Sequence, residues 1–112
     1  MKKIEIISRT EKLEKVKEVL NKLEIHGMTV SMISGCGNQK GRKEFYRGAE
    51  ININLLPKMK VEIIVNDDKV NMLTEEIIKA ISTGQIGDGK IFIIPVEEAI
   101  RIRTGEKGEG VL

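Results

Sequence analysis

The order of elements in this 112-residue chain predicts an α+β fold, β-α-β-β-α-β, with one antiparallel sheet and both helices on one face. Three observations predict it. Two stretches, 11–23 and 67–81, repeat apolar residues at helical spacing. Four short stretches alternate apolar with polar residues or run rich in isoleucine, as strands do. The elements also fall into two similar β-α-β halves, joined through one long polar segment.

The first strand is KIEIIS, residues 3–8. In the following TEKLEKVKEVLNKLEIHG, Leu13, Val16, Val19, Leu20 and Leu23 share one helical face. Thr10 is the expected cap, Glu11 and Glu14 suit the positive end of the helix dipole, and Gly27 lies just past the end. Residues 28–34, MTVSMIS, alternate: Met28, Val30 and Met32 on one face, Thr29, Ser31 and Ile33 on the other. That is a strand with one face buried. Residues 35–57 carry glycines, a proline and many charges and read as a long loop, although INLL at 53–56 can extend a strand. In KMKVEIIV, 58–65, Met59, Val61, Ile63 and Val65 face one way, and Lys58, Lys60 and Glu62 the other. Asp67 or Asp68 is the expected cap of the second helix, with Val70, Leu73, Ile77 and Ile81 inward. KIFIIPV, 90–96, is another strand, ended by Pro95. The tail AIRIRTG alternates too, which predicts a tail strand with Arg101 and Arg103 side by side. A sheet with helices on one face leaves the other bare. Here that face carries Ile33 and Ile64 among polar residues, which predicts covering by another subunit.

Composition narrows the class. The length fits one domain, 1–112, with roughly two thirds of the unfolded surface buried. Aromatics are only 3%, so the core is aliphatic. A net charge of +2 and few aromatics argue against a nucleic-acid partner. One cysteine, Cys36, allows no intrachain disulfide and no cysteine-based metal cluster. MKKIEIISRT is too short and too interrupted by charge for a signal peptide, and no apolar run approaches the ~20 residues of a membrane span. A cytoplasmic protein is the expectation.

Three glycine-bearing segments are candidates for chemistry. GCGNQKG, 35–41, has Lys40 where a dinucleotide fingerprint needs glycine. GQIGDGK, 84–90, matches the first seven positions of a Walker A loop, but Ile91 stands where Ser or Thr should reach magnesium. A helix also precedes it and a strand follows, the reverse of a P-loop. Its backbone N–H groups can nonetheless meet a phosphate beside Lys90. RIRTG offers two arginines that can clamp phosphate oxygens. Each has a plainer reading, a turn for Gly-Asp-Gly and solvated edge charge for the arginines. Convergence of Lys58, Lys90, Arg101 and Arg103 near glycine turns favours the phosphate reading. His26 and Cys36 read as structural, and no Ser/His/Asp or Cys/His set is evident.

Together these pieces resemble the PII nitrogen-regulatory signal-transduction proteins. The resemblance rests on GMTV at 27–30, GxGxQKG at 35–41, EFYRGAEI at 44–51, LPKxKxE at 56–62, TGxIGDGKIF at 83–92 and IRIRTGE at 100–106. It implies a ferredoxin-like fold, a homotrimer, and ATP and ADP competing for clefts between subunits. By similarity Gly87, Asp88, Gly89, Lys90, Arg101 and Arg103 bind the phosphates; Ile7, Thr29, Glu62 and Ile64 surround the nucleoside; Gly35, Gly37 and Asn38 line the cleft's opening. 2-Oxoglutarate would bind beside Mg-ATP. Gln39 resembles the residue that joins the magnesium shell with nucleotide and 2-oxoglutarate, Lys58 the lysine paired with the distal carboxylate, helped by Arg9. Backbone N–H groups near Gly37, Lys40 and Gly41 would complete that site.

The activity so implied is a switch: ligands reshape the loop 37–55, and partners read it. The cytoplasmic face of an ammonium transporter is the leading partner, contacted by Tyr46, Arg47 and Gly48, so that the protein joins the membrane transiently. Glutamine synthetase, a transcription regulator or nitrogenase is the alternative. Asn38 departs from a common arginine and can change the ATP/ADP preference. Ile51 replaces a tyrosine that is uridylylated in many members, and Ala49 a phosphorylated serine of others, so neither hydroxyl is available. A weak nucleotide hydrolase and an oligomer without ligand are the competing classes.

Overall fold

The computed structural model describes residues 1–36, 44–46, 49–51 and 55–112. Its elements are β1 (Lys2–Ser8), α1 (Leu13–Lys22), β2 (Thr29–Gly35), β3 (Glu44–Tyr46), β4 (Ala49–Ile51), β5 (Leu56–Val65), α2 (Val70–Ile81) and β6 (Lys90–Pro95). Four strands form one sheet in the order β2-β5-β1-β6, with every neighbouring pair antiparallel. With the two helices this is the expected α+β, ferredoxin-like arrangement. The register is fixed by alternation. Ile4, Ile6 and Ser8 of β1 and Met59, Val61, Ile63 and Val65 of β5 are buried on one face. A one-residue slip would turn that whole apolar set to the bare side.

The helices close the core from that face. Val16, Val19 and Leu20 of α1 and Val70, Leu73, Ile77 and Ile81 of α2 are buried, and Leu13 and Leu23 pack at the margin. Leu73 and Ile77 are wholly buried, each worth about 1.5–3 kcal/mol of apolar transfer. Met32 departs from the expected buried face: it is 63% exposed, because β2 is an edge strand and the helices reach only as far as Val30.

The sequence punctuation of the helices is revised. Each begins with a 3₁₀ turn, Thr10–Lys12 or Asp67–Lys69, entered from an extended Arg9 or Asn66. Among the described residues no side-chain cap bond is made at any of the four cap positions. Thr10 therefore lies inside the first turn rather than capping it. Asp67 instead pairs with the N-terminal ammonium at 3.0 Å and with Lys2 at 3.6 Å. Gly27 does not end α1 either. Glu24 takes the left-handed conformation, φ 56°, while Ile25 N–H bonds Leu20 O and Glu24 N–H bonds Asn21 O. That is a Schellman ending, closed by the apolar Ile25 against the core.

The long segment after β2 holds a short hairpin, β3 paired with β4, Tyr46 opposite Ala49 and Glu44 opposite Ile51. β5 starts at Leu56, so the strand extends only to the last residue of INLL. The expected tail strand is reduced to a single bridge, Ile100 to Lys107. Between them Gly105 N–H bonds Arg101 O, with Gly105 at φ 73°, and the Thr104 hydroxyl accepts from Glu106 N–H. Turn chemistry in Thr-Gly overrides the alternation of IRIR. Arg101 and Arg103 therefore stand on a tight turn and not side by side along a strand.

Candidate functional site

The segment between α2 and β6 is organised by one carboxylate. Asp88 accepts from Thr83 N–H at 2.8 Å, from Gly84 N–H at 2.9 Å and from the Thr83 hydroxyl. The Arg9 guanidinium adds a fourth donor at 2.7 Å and also bonds Ile86 O at 2.9 Å. Lys58, from the start of β5, donates to Gly87 O at 2.9 Å. Gly89 closes the turn with its Cα pressed against Ile7: a Cβ there would lie 1.7 Å from Ile7 O. The turn is thus pinned to the end of β1, and Lys90 leaves it exposed, opposite Ile7.

These donors hold the Asp88 carboxyl well below its ordinary value; the Thr83 hydroxyl contributes most, then Thr83 N–H, with Arg9 and Gly84 N–H behind, against some desolvation. The sign follows. A depressed folded pKa means the unfolded chain takes up the proton first as pH falls. The turn's contribution is therefore complete above the ordinary carboxylate range and is lost on acidification through the folded value. Asp88→Asn should be less stable than the parent at about pH 6, and the gap should shrink toward about pH 3. Urea melts at both pH values check this; an equal gap at both would mean that the charge on Asp88 does not hold the turn.

The bare face of the sheet collects the expected nucleoside residues. Ser31, Lys60, Ile7 and Lys90 form one cross-strand row; Thr29, Glu62, Glu5 and Phe92 form the next; Ile64, Lys3 and Ile94 follow. Glu5 and Glu62 lie directly opposite, a repulsive pair. Lys3 offsets it, 3.6 Å from Glu5 and 3.5 Å from Glu62. The expected Ile33 and Ile64 are half-buried on this face, joined by Ile7, Phe92 and Ile94. Thr29, Glu62 and Ile64 also border a cavity of about 410 Å³ that Glu109, Val111 and Leu112 line as well.

The sequence-predicted phosphate residues fall into two groups. Gly87, Asp88, Gly89 and Lys90 lie at the Ser8 end of the sheet. β6 then runs to Pro95 at the Lys2 end, about 17 Å away at ~3.3 Å per residue. The turn bearing Arg101 and Arg103 follows from there. Gly108 N–H bonds Ala99 O, and the next residues line the cavity beside Val65 and Asn66. Arg101 is bridged to Glu106 at 3.2 Å; Arg103 and Lys90 are exposed and, among the described residues, pair with no carboxylate. Such cations, with an exposed glycine turn, fit phosphate groups. Lys58 and Arg9 are the two cations bonded to that turn, and Asp88 offsets one of them. Gly35 ends β2 against the Lys58 side chain, 3.5 Å from the position of a Cβ. Gly37, Asn38, Gln39, Lys40, Gly41, Arg47 and Gly48 lie outside the described residues, as does the magnesium position assigned to Gln39.

Sequence reading missed three participants. Thr83 was legible: a Thr-Gly followed by Asp at 88 is turn chemistry. Lys3 was legible only with the register. The wall at Val111 and Leu112 had no signal in pattern or spacing.

A family model described as nitrogen regulatory protein P-II matches residues 1–106. The nitrogen regulatory protein P-II of Nostoc punctiforme is 57% identical over 107 residues, 96% of each chain. That of Porphyra purpurea is 56% identical over all 112 residues, 100% of each chain. The nitrogen regulatory protein P-II 2 of Methanothermobacter thermautotrophicus is 54% identical over 109 residues, 97% of this chain and 95% of the relative.

Proposed function

The chain belongs to the nitrogen regulatory protein P-II family, and from that premise we propose that it signals nitrogen and energy status by binding ATP or ADP and, with Mg-ATP, 2-oxoglutarate. It acts on a partner through the loop 37–55. The observation that carries this reading is the register. It gathers Ile7, Thr29, Glu62, Ile64 and Lys90 on one uncovered face, beside a glycine turn already held in shape.

The separation of the two cationic groups supports sites shared between copies. Lys90 stands at the Ser8 end of the sheet, and the chain reaches Arg101 and Arg103 only after β6 has run to the Lys2 end, which favours a phosphate chain that meets both where two subunits adjoin. A homotrimer with three such clefts satisfies this and covers Ile7, Ile64, Phe92 and Ile94. Lys58 and Arg9 supply positive charge for 2-oxoglutarate, and backbone N–H groups at Gly37, Lys40 and Gly41 complete the site. Bound magnesium supplies a bridge between phosphate and carboxylate oxygens, with Gln39 in its shell.

The leading partner is the cytoplasmic face of an ammonium transporter, met by Tyr46, Arg47 and Gly48; glutamine synthetase, a transcription regulator or nitrogenase is the second reading. Among the described residues no helix is long and apolar enough to cross a membrane. A hydrolase reading needs a free base, and Asp88, the carboxylate in the turn, is already an acceptor for four donors. Control rests on bound ligands, since Ile51 and Ala49 offer no hydroxyl. Calorimetric titration with ADP and ATP, beside light scattering for mass, tests the reading. Nucleotide binding to a three-chain particle is expected. Absence of heat, with no shift in melting temperature, would leave an oligomer without ligand.

A further inference from the structure

Arg9 follows β1 directly, in extended backbone, and its carbonyl accepts Lys12 N–H at 3.1 Å. It is a short strut on a rigid base. Its guanidinium is spent in two directions at once, on the Asp88 carboxylate and on Ile86 O. Lys58 takes the next carbonyl, Gly87 O. Among the described residues no peptide is cis, and in a trans peptide the N–H points opposite to the C=O. With the Ile86 carbonyl fixed on Arg9, Gly87 N–H is directed to the other side of the turn. With the Gly87 carbonyl fixed on Lys58, Asp88 N–H is directed away from Lys58, where it donates to Gln85 O at 3.4 Å.

We propose that Arg9 is a positioning residue of the nucleotide site: its forked contact with Asp88 and Ile86 O holds the 84–89 turn in the orientation that receives a polyphosphate. The inference rests on the nucleotide reading above and deepens it. It also gives the two ligands a shared part, because a dicarboxylate reaching Arg9 meets a guanidinium that the phosphate turn already uses. The geometry requires a planar fork, with two N–H groups on two different acceptors.

The test is ADP affinity without magnesium or 2-oxoglutarate, by calorimetry, beside adenosine affinity by ligand-detected NMR. Arg9→Gln is expected to weaken ADP about tenfold, the loss of a charge-assisted contact, and to leave adenosine unchanged. Arg9→Lys, which keeps the charge but not the fork, is expected to stay weak. In an Asp88→Asn background Arg9→Gln is expected to add less than about twofold, since the strut then lacks its main hold. Three results overturn the proposal while nucleotide binding by the parent stands. They are wild-type ADP affinity in Arg9→Gln, full recovery in Arg9→Lys, or parallel loss of ADP and adenosine. A parent chain that binds neither ADP nor ATP overturns the functional reading itself, and this inference with it.

Discussion

Gly89→Ala is expected to abolish nucleotide binding and to destabilise the fold by about 3 kcal/mol or more, lowering the melting temperature by on the order of 10 °C. Two penalties add. Gly89 sits at φ 98°, a conformation that costs an L side chain roughly 1–2 kcal/mol. The new Cβ would also meet Ile7 O at 1.7 Å, Ile7 C at 2.8 Å and Ser8 Cα at 3.0 Å. These are backbone atoms of a strand whose neighbours are Ile6 and Ser8, both about 1% exposed. The strand cannot give way, so the turn must lift. Lifting it carries Gly87 O from Lys58 and Asp88 from Arg9, the contacts that hold the candidate phosphate turn. Gly84→Ala is the internal control. It shares the positive φ, 77°, but nothing lies within 4 Å of its Cβ position, so a cost of about 1 kcal/mol is expected. Thermal melts of both variants, with ADP titration, decide the matter. Equal losses at positions 84 and 89 would mean that close approach to Ile7 is not what the turn depends on.

The parts of the molecule legible in the sequence are those where one periodicity acts alone. Val70, Leu73, Ile77 and Ile81 were legible because α2 has one buried stripe; Met59, Val61, Ile63 and Val65 because β5 lies inside the sheet with one face covered. Element ends were less legible. Thr10 and Asp67 have the chemistry of caps, but each stands within a 3₁₀ turn, and the N-terminal ammonium draws Asp67 away. Gly27 has the chemistry of a helix stop, yet the chain turns three residues earlier at Glu24, where Ile25 can reach the core. In the tail, the alternation of IRIR was real but had no partner strand to act on beyond the single bridge. Site residues divide the same way. Glycines and cations can be picked out along the chain. That Asp88 is turned to Thr83 and Arg9 is a matter of direction, which spacing does not encode.

2-Oxoglutarate is expected to bind measurably only when Mg-ATP is present, with affinity for the chain alone at least about a hundredfold weaker. At the end of the sheet Arg9 and Lys58 are two cations, and Asp88, 2.7 Å from Arg9, is one carboxylate held ionised. Within this bonded cluster two against one leaves a single net positive charge for a dianion, Lys90 at the same end being the cation assigned to the phosphates. Both cations are also already bonded, Lys58 to Gly87 O and Arg9 to Ile86 O as well as Asp88. A second carboxylate brought there gains little over water, where an exposed pair is worth about 0–1 kcal/mol. A divalent cation on the nucleotide phosphates changes the sum, because it adds charge that no side chain among the described residues has to surrender. Lys58→Met removes one cation and leaves Arg9 balanced by Asp88, so 2-oxoglutarate should lose about a hundredfold even with Mg-ATP bound. The measurement is calorimetric titration of 2-oxoglutarate into the apo protein, into the ATP complex with chelator, and into the Mg-ATP complex, for parent and variant. Equal affinity in the apo and Mg-ATP titrations would sink the shared-metal site. Retention of affinity by Lys58→Met would place the distal carboxylate on another cation.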